Sequence, residues 1–285
     1  MELPENIEET VRRAIAEDIG SGDVTADLID KNQQSEANVI CRDDAILAGK
    51  AWFDEVFNQI DSNIKIEWNF EDADFITAGS TLCSLSGNSR ALLSGERVAL
   101  NLLQTLSATA TQTDQYANCI DGHHAVILDT RKTLPNLRLA QKYAVTCGGG
   151  VNHRMALYDM ILIKENHIMA VGSITEAIKQ ARALHPTLKV EVETENLEEF
   201  FEASKANPDI IMLDNFSLDD LRTAVAENAE KPIKLEASGG IDLSTVRDIG
   251  KTGVDYISVG QITKDIKAVD LSMRFSKTPN NNEKK

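Results

Sequence analysis

Short apolar runs alternate with amphipathic stretches through the second half of the chain. Helical periodicity marks the stretches between the runs, such as 173–185 and 217–229. Runs that are apolar on both faces and separated by helices are typical of a parallel sheet covered by helices. The six predicted strands are 125–129, 159–164, 189–193, 209–214, 233–237 and 255–260. At roughly 20–30 residues per strand–helix unit, and without a GxGxxG motif, the pattern favours an α/β barrel over a dinucleotide-binding sheet.

The first half of the chain has a different pattern of predicted helices and strands. A helix is predicted over Pro4–Ile19, followed by short alternating segments and a helix near Trp52–Ile60. This mixture indicates a small α+β domain. Residues 89–120 have long helical periodicity, as one helix or two, and connect the halves. We therefore predict an N-terminal α+β domain over 1–115 and a barrel domain over 116–265, with a polar, disordered tail at 276–285.

Charge and composition exclude several classes of function and location. The chain has 285 residues, a net charge of −16 and a pI near 4.7, which argues against binding nucleic acid. The absence of an apolar run of ~18–20 residues and an acidic N-terminus predict no membrane span and a cytoplasmic location. Four separated cysteines without a CxxC pair argue against a zinc site or a disulfide framework.

Positive charge is concentrated in one stretch, 128–154, which carries +4 while the rest of the chain carries −20. The stretch also contains His153 and three glycines, 148–150. Its cations are Arg131, Lys132, Arg138, Lys142 and Arg154. A local cationic segment in an acidic protein suits a small anion held in a pocket.

The predicted strand ends collect the candidate chemistry, because parallel barrels build active sites at the carboxyl ends of strands. Cations and bare glycine amides are what a phosphate needs, and carboxylates suit sugar hydroxyls or phosphate-bound Mg²⁺. Together they indicate a site for a phosphorylated sugar. The strand-end residues are 129–132, Lys164, Glu193, Asp214, 237–240 and 259–260.

Several of these residues also have purely structural explanations. Asp214 could cap the following helix, the glycines 148–150 could end a helix, and Glu236 is more simply structural than catalytic. His167 stays ambiguous, and His123 and His124 are assigned no role. The coincidence of signals at successive strand ends favours a site.

The motif at 129–167 resembles a known family. It reads DTRKT-P--R---KYAV--GGG-NHR--L-D--LIK-NH and is similar to the quinolinate phosphoribosyltransferases. The likeness extends to 17–25 and 95–111 upstream, and to segments as far as 257–263 downstream. One departure is Asn136, at a position where the family often has glycine; asparagine tolerates the left-handed conformation that such a turn needs.

The resemblance implies a fold and a reaction. It implies an N-terminal α+β open sandwich, an incomplete, seven-stranded α/β barrel of the type II phosphoribosyltransferase kind, and a segment 266–275 that returns to the first domain. It also implies Mg²⁺-dependent transfer of phosphoribose from phosphoribosyl pyrophosphate to quinolinate, with decarboxylation, in NAD biosynthesis. The expected unit is a homodimer.

The resemblance also implies roles for individual residues. Arg131, His153, Arg154 and Lys164 would hold quinolinate, with Arg97 from the neighbouring subunit. Lys132, Glu193 and Asp214 are the expected catalytic residues: Lys132 at the pyrophosphate, the two carboxylates at the ribose and Mg²⁺. The remaining substrate-binding positions, mostly backbone amides around the 5′-phosphate, are Thr130, Ser238, Gly239, Gly240, Ser258, Val259 and Gly260.

Three alternatives remain open from the sequence. A related enzyme on the same scaffold, such as a nicotinate phosphoribosyltransferase or a molybdenum-transport-associated homologue, need not take a dicarboxylate. A Schiff-base lyase could use Lys132 or Lys164. A phosphosugar-sensing subunit would bind without turnover.

Overall fold

A computed structural model describes residues 2–276 of the chain. Its helices are α1 (Ile7–Ile19), α2 (Lys50–Ile60), α3 (Ser89–Cys119), α4 (Arg138–Cys147), α5 (Glu165–Val171), α6 (Ile174–Leu184), α7 (Leu197–Ala206), α8 (Leu218–Asn228), α9 (Val246–Gly250) and α10 (Gln261–Lys264). Its strands are β1 (Gln34–Cys41), β2 (Ala45–Ile46), β3 (Lys65–Trp68), β4 (Phe75–Ile76), β5 (Thr81–Asn88), β6 (Val126–Leu128), β7 (Ile161–Ile163), β8 (Val190–Thr194), β9 (Ile210–Asp214), β10 (Lys234–Ser238), β11 (Tyr256–Ser258) and β12 (Leu271–Phe275). The predicted tail falls almost entirely outside the described residues.

The chain divides into two compact units. The first comprises the described parts of Met1–Thr111, Pro135–Gly148 and Ile266–Lys285, and the second comprises Gln112–Leu134 and Gly149–Asp265. The stretch that was predicted to be one helix or two is a single 31-residue helix, α3. Within residues 2–276, no helix is both long and apolar enough to span a bilayer.

The first unit is built on an antiparallel sheet with the strand order β12-β1-β5-β3. Alternate residues of β1 (Ala37, Val39 and Cys41) are buried, because successive side chains of a strand point to opposite faces. The C-terminal strand β12 pairs with β1 from Ala37↔Phe275 to Cys41↔Leu271.

Aromatic side chains of α2 fill the core of this unit. Trp52, Phe53 and Phe57 are fully buried, and Phe53 packs against Phe57 with ring centroids 5.2 Å apart. A Cβ atom on Gly95 of α3 would lie 2.6 Å from Phe57, so the absence of a side chain at Gly95 lets the two helices approach closely. The unit is the predicted α+β fold.

The second unit is a parallel sheet with the order β6-β11-β10-β9-β8-β7. All six predicted strands are present, each within one or two residues of its predicted limits. Helices follow the strands, with N-caps from Ser173, Asn196 and Ser217 at α6, α7 and α8. The predicted parallel sheet is therefore confirmed.

The seventh strand implied by the resemblance is reduced to one residue. Val151 forms a single parallel bridge with Leu128, beyond β6. Among residues 2–276, no strand pairing joins Val151 to β7, so the barrel stays open there.

Candidate active site

The carboxyl ends of β7–β11 present their side chains to one cavity. Glu193, Met212 and Glu236 are register neighbours on β8, β9 and β10, so their side chains form one layer. Asp214 and Ser238 are also paired. They follow Met212 and Glu236 by two residues and therefore face the same side as the next layer. The cavity has a volume of about 430 Å³.

Most of the predicted site residues line this cavity. Among the 13 lining residues, three were not predicted as site residues: Leu162, Met212 and Glu236. The ten predicted ones are Thr130, Arg131, Lys132, His153, Arg154, Lys164, Glu193, Asp214, Ser238 and Ser258. The cavity therefore combines cations with carboxylates, as the strand ends indicated.

Lys164 and Glu193 neutralise each other at the mouth of the cavity. The Lys164 ammonium forms an ion pair with the Glu193 carboxylate, and these side chains are 46% and 15% exposed. The half-exposed lysine can exchange this partner for an anionic ligand at little cost, because exposed ion pairs contribute little stability.

Arg131 and Arg154 are two positive charges of the cavity that interact with each other. Arg154 donates to the Met160 carbonyl oxygen at 3.2 Å. Burial, and secondly the charge of Arg131, lower the pKa of Arg154 from its usual value. Two guanidinium groups that repel each other in a confined space favour a bound planar dianion, to which each can donate two parallel hydrogen bonds.

The Lys132 backbone is held on two sides. Its N–H donates to Thr130 Oγ1 at 3.1 Å, and its carbonyl accepts from Thr263 Oγ1 at 2.8 Å. A Cβ on Gly260 would lie 3.0 Å from Lys132 Cδ, so the glycine makes room for the lysine side chain. The strand-end glycine thus has a packing role in addition to its predicted role at the phosphate.

Asp214 is joined to the loop after β10 through Asn215. The Asn215 side-chain amide donates to Asp214 Oδ2 at 2.8 Å, and its backbone N–H donates to the Ser238 carbonyl at 2.9 Å. Asn215 has a φ of +58°. Ser217, not Asp214, caps α8, so the capping explanation for Asp214 does not apply.

The predicted phosphate donors are not all equivalent. Gly239 and Gly240, both with positive φ, line a second cavity of about 250 Å³. The buried Val259 donates its N–H to the Leu128 carbonyl at 3.0 Å. This amide is therefore already used within the sheet, which corrects its predicted role as a phosphate donor.

His153 faces a pair of buried glutamates. Its Nε2 lies 2.9 Å from Glu191 Oε2 and 3.4 Å from Glu236 Oε2. The ligand atoms of these three residues lie within 4.8 Å of one another, an arrangement that could hold a metal ion. Burial lowers the pKa of His153, but the two carboxylates outweigh burial and raise it to about 10.

Three predicted or candidate cations lie in the first unit. Arg97 is on α3, 58% exposed, with Glu96 at 3.9 Å as its ion-pair neighbour. Arg138 and Lys142 of the cationic stretch belong to α4. Only Arg131, Lys132 and Arg154 of that stretch line the cavity.

Sequence reasoning missed Glu191 and gave Glu236 only a structural role. The available signal was the VEVE segment, where Glu191 and Glu193 are two residues apart and so share a face. The structural explanation of the glycines at 148–150 is confirmed, because Gly148 ends α4 and donates to Ala144 O. His167, which the sequence left ambiguous, has a structural contact: its Nδ1 accepts from the Lys164 N–H at the start of α5.

A parallel α/β sheet that brings cations and carboxylates together at its strand ends defines a class of enzyme that acts on phosphorylated, polyanionic substrates. A comparison with protein families makes this specific. The N-terminal domain of quinolinate phosphoribosyl transferase matches residues 23–107, and its C-terminal domain matches 109–274. The chain belongs to the quinolinate phosphoribosyltransferase family.

Individual relatives agree over nearly the whole chain. A probable nicotinate-nucleotide pyrophosphorylase [carboxylating] of Bacillus subtilis (strain 168) is 46% identical over 258 residues, or 90% of this chain and 89% of the relative. The solved nicotinate-nucleotide pyrophosphorylase of Francisella tularensis is 47% identical, with a TM-score of 0.93 over 96% of this chain and 98% of that one. The NadC structure from Streptococcus pyogenes is 40% identical, with the same TM-score over 97% and 99%.

Proposed function

We propose that this chain transfers phosphoribose from phosphoribosyl pyrophosphate to quinolinate and decarboxylates the product. The products are nicotinate mononucleotide, pyrophosphate and CO₂, so the chain is a pentosyltransferase of NAD biosynthesis. The observation that carries the proposal is the convergence of five basic side chains and two strand-end carboxylates on one cavity. The basic side chains are Arg131, Lys132, His153, Arg154 and Lys164.

The cationic side chains suit a pyridine with two adjacent carboxylates. The guanidinium groups of Arg131 and Arg154 would bind the carboxylates as planar forks, and Lys164 would leave Glu193 to bind one of them. A ligand with one carboxylate would leave part of this charge unpaired in a confined space. The geometry therefore favours quinolinate over nicotinate.

Chemically, the site has to position its substrates and stabilise charge. The ring nitrogen attacks C1 of the ribose as the C1–O bond to pyrophosphate breaks, and positive charge develops on the ribose. Glu193 and Asp214 would stabilise that charge, and Lys132 the departing pyrophosphate. The bond from C2 to its carboxylate then breaks, the positively charged ring accepts the electron pair, and C2 takes a proton from water.

Mg²⁺ is the proposed cofactor, with Glu193 and Asp214 as its protein ligands. Hard carboxylate oxygens at one site fit Mg²⁺, which proteins usually hold through one or two carboxylates together with substrate phosphates. When bound, the ion would neutralise charge on the pyrophosphate. The predicted cytoplasmic location remains a prediction.

A homodimer that shares its active sites is the proposed assembly. Support comes from α3, where Arg97 is more than half exposed and Leu93, one helical turn earlier, is 37% exposed. A cation next to an exposed apolar side chain on one helix face suits a surface covered by a second copy of the chain. Arg97 would then enter the partner's site.

The proposed reaction is tested with purified protein, Mg²⁺ and both substrates. Quinolinate should disappear in step with the release of CO₂ and pyrophosphate. Parallel reactions with nicotinate in place of quinolinate, and without phosphoribosyl pyrophosphate, should be inactive. Turnover of nicotinate but not quinolinate would favour the related-enzyme alternative, and binding of either substrate without turnover would favour the sensing subunit.

A further inference from the structure

Two glutamates are buried at the wall of the cavity without enough hydrogen-bond donors. Glu191 and Glu236 have no exposed surface. Among residues 2–276, Glu191 Oε1 and both carboxylate oxygens of Glu236 have no hydrogen-bond partner. A buried carboxylate is strongly disfavoured unless a positive charge or donors compensate it, so we expect this pair either to take up a proton or to lie next to a positive group.

His153 is the group placed to provide that charge. Its Nε2 contacts Glu191 at hydrogen-bond distance, and Glu236 lies within ion-pair distance. The segment carrying the ring is fixed, because the His153 backbone N–H donates to Asp129 Oδ1 at 3.0 Å and Asn152 donates to Asp129 Oδ2 at 2.7 Å. The imidazole is 7% exposed and lines the cavity.

The compensating charge could be a proton on the imidazole, a proton on Glu191 or a divalent metal ion. Burial and the charge of Glu236 raise the pKa of Glu191 to about 7, which is below the value of about 10 for His153, so the imidazole keeps its proton to a higher pH than Glu191 does. A metal ion would require a neutral imidazole and would lie close to Arg154, which already interacts electrostatically with both Arg131 and Glu191. A proton adds one charge instead of two, and it gives Nε2 a hydrogen that can be shared between the two carboxylates. The geometry therefore favours the proton.

We infer that Glu191 and Glu236 are positioning residues that hold His153 as a charged imidazolium in the wall of the cavity. The His153 charge would then be present before substrate arrives. Its use in binding one carboxylate of quinolinate rests on the proposed function. Glu191 and Glu236, neither of which has exposed surface, would affect that substrate through the ring.

The surroundings of the ring contain charges of both signs. Glu191 on β8 and Glu236 on β10 favour the imidazolium, and the Asp129 carboxylate after β6 holds the segment. Arg131 and Arg154 oppose the charge, and Lys164, Glu193 and Asp214 line the same cavity. The two direct carboxylate contacts dominate, and the raised pKa of His153, about 10, agrees with this balance.

The charge on His153 can be observed in the substrate-free enzyme by nitrogen-15 NMR of the histidine rings. The chain has five histidines, and His153→Gln assigns the signal of interest. We expect imidazolium shifts for His153 between pH 7 and 9. A neutral His153 at pH 7 would overturn the inference. So would about one equivalent of tightly bound metal whose removal by a chelator changes the His153 signal.

The role of the glutamates is tested with Glu191→Gln and Glu236→Gln, which keep size while removing charge. At pH 8 we expect the KM for quinolinate to rise about tenfold, with little change in the KM for phosphoribosyl pyrophosphate. The exposed Glu227 supplies the control, Glu227→Gln, which should behave like the unmodified enzyme. An unchanged quinolinate KM, or equal changes in both constants, would contradict a role through His153.

These measurements separate the inference from the proposed function. The NMR experiment uses no substrate, so it decides the charge of His153 even if Glu191→Gln or Glu236→Gln fails to fold. If the unmodified enzyme did not turn over quinolinate while His153 was an imidazolium, the proposed function would fail and the charge assignment would stand.

Discussion

Two basic side chains of the cavity, Lys164 and His153, lie against carboxylates in the substrate-free protein. Lys164 is paired with Glu193, and His153 with Glu191 and Glu236. The two pairings differ in burial, because Lys164 is half exposed whereas the histidine and its partners are almost inaccessible. We therefore expect Lys164 to change partners when an anion binds and His153 to stay in place.

The buried His153 cluster predicts a pH dependence of stability. The pKa of His153 is raised to about 10 in the folded chain from an ordinary value near ~6.5 in the unfolded chain. The contribution of the charged His153 to stability should therefore be complete below about pH 6.5 and be lost as the pH rises toward about 10. Thermal melts across this range should show a steeper decrease in Tm for the unmodified protein than for His153→Gln. Parallel curves would contradict the prediction.

At the scale of secondary structure, the loops after β9 and β10 pack closely against each other at Asn215 and Gly239. A Cβ on Gly239 would lie 2.2 Å from Asn215 Oδ1 and 2.7 Å from the Asn215 backbone nitrogen, at a φ of +95°. Gly79 has a similar φ of +91° but nothing within 4 Å. Comparing alanine substitutions at Gly239 and Gly79 therefore distinguishes the effect of the steric contact from the effect of the backbone strain.

We predict that Gly239→Ala lowers stability by roughly 1–3 kcal/mol more than Gly79→Ala. It should also raise the KM for phosphoribosyl pyrophosphate, because displacing Asn215 would disturb its hydrogen bond to Asp214. Thermal melts and steady-state kinetics of both variants measure the two effects. Equal melting temperatures and unchanged kinetics would show that the contact is not needed.

The pairing of β12 with β1 predicts that substitutions at two neighbouring residues of β12 affect stability very differently. Met273 of β12 is buried in the core of the first unit, whereas Arg274 is exposed. Met273→Ala should reduce the free energy of unfolding by about 2–5 kcal/mol, and Arg274→Ala by less than about 0.5 kcal/mol. Denaturant unfolding of the two variants tests this, and similar losses would argue against the observed register.

Elements with a strong periodic pattern were predictable from the sequence, and interactions between distant segments were not. The six strands of the second unit follow from their apolar runs, and the left-handed Asn136, with a φ of +63°, follows from its place in a turn. The single bridge at Val151 has no sequence signal, because one residue cannot show a period. The Val259 amide is used by Leu128, a partner that only the sheet register reveals.

The candidate site shows the same division. Residues at the ends of strands were predicted individually, because the active sites of parallel α/β barrels lie at the carboxyl ends of the strands. Glu191 lies one layer deeper, and its importance depends on His153 and Glu236, which come from other parts of the chain. Glu236 reads as structural until its unpartnered oxygens and its distance from the imidazole are known.

At the scale of the whole molecule, the proposed shared site predicts recovery of activity on mixing subunits. Arg97→Ala and Lys132→Ala proteins should each be nearly inactive. A mixed dimer would contain one intact site, so equal mixing with free exchange should restore about a quarter of the normal activity. The measurement is turnover after mixing, with subunit exchange followed by fluorescent labels. No recovery despite exchange would contradict the shared site.

The central claim is that the cations at the strand ends form the quinolinate site, and calorimetric titration of quinolinate tests it most directly. Arg131→Ala is compared with Arg42→Ala, a partly exposed arginine of the first unit that pairs with Asp270. We predict that the unmodified protein and Arg42→Ala bind quinolinate alike, whereas Arg131→Ala keeps its Tm and shows no detectable binding. Unchanged affinity in Arg131→Ala would contradict the account.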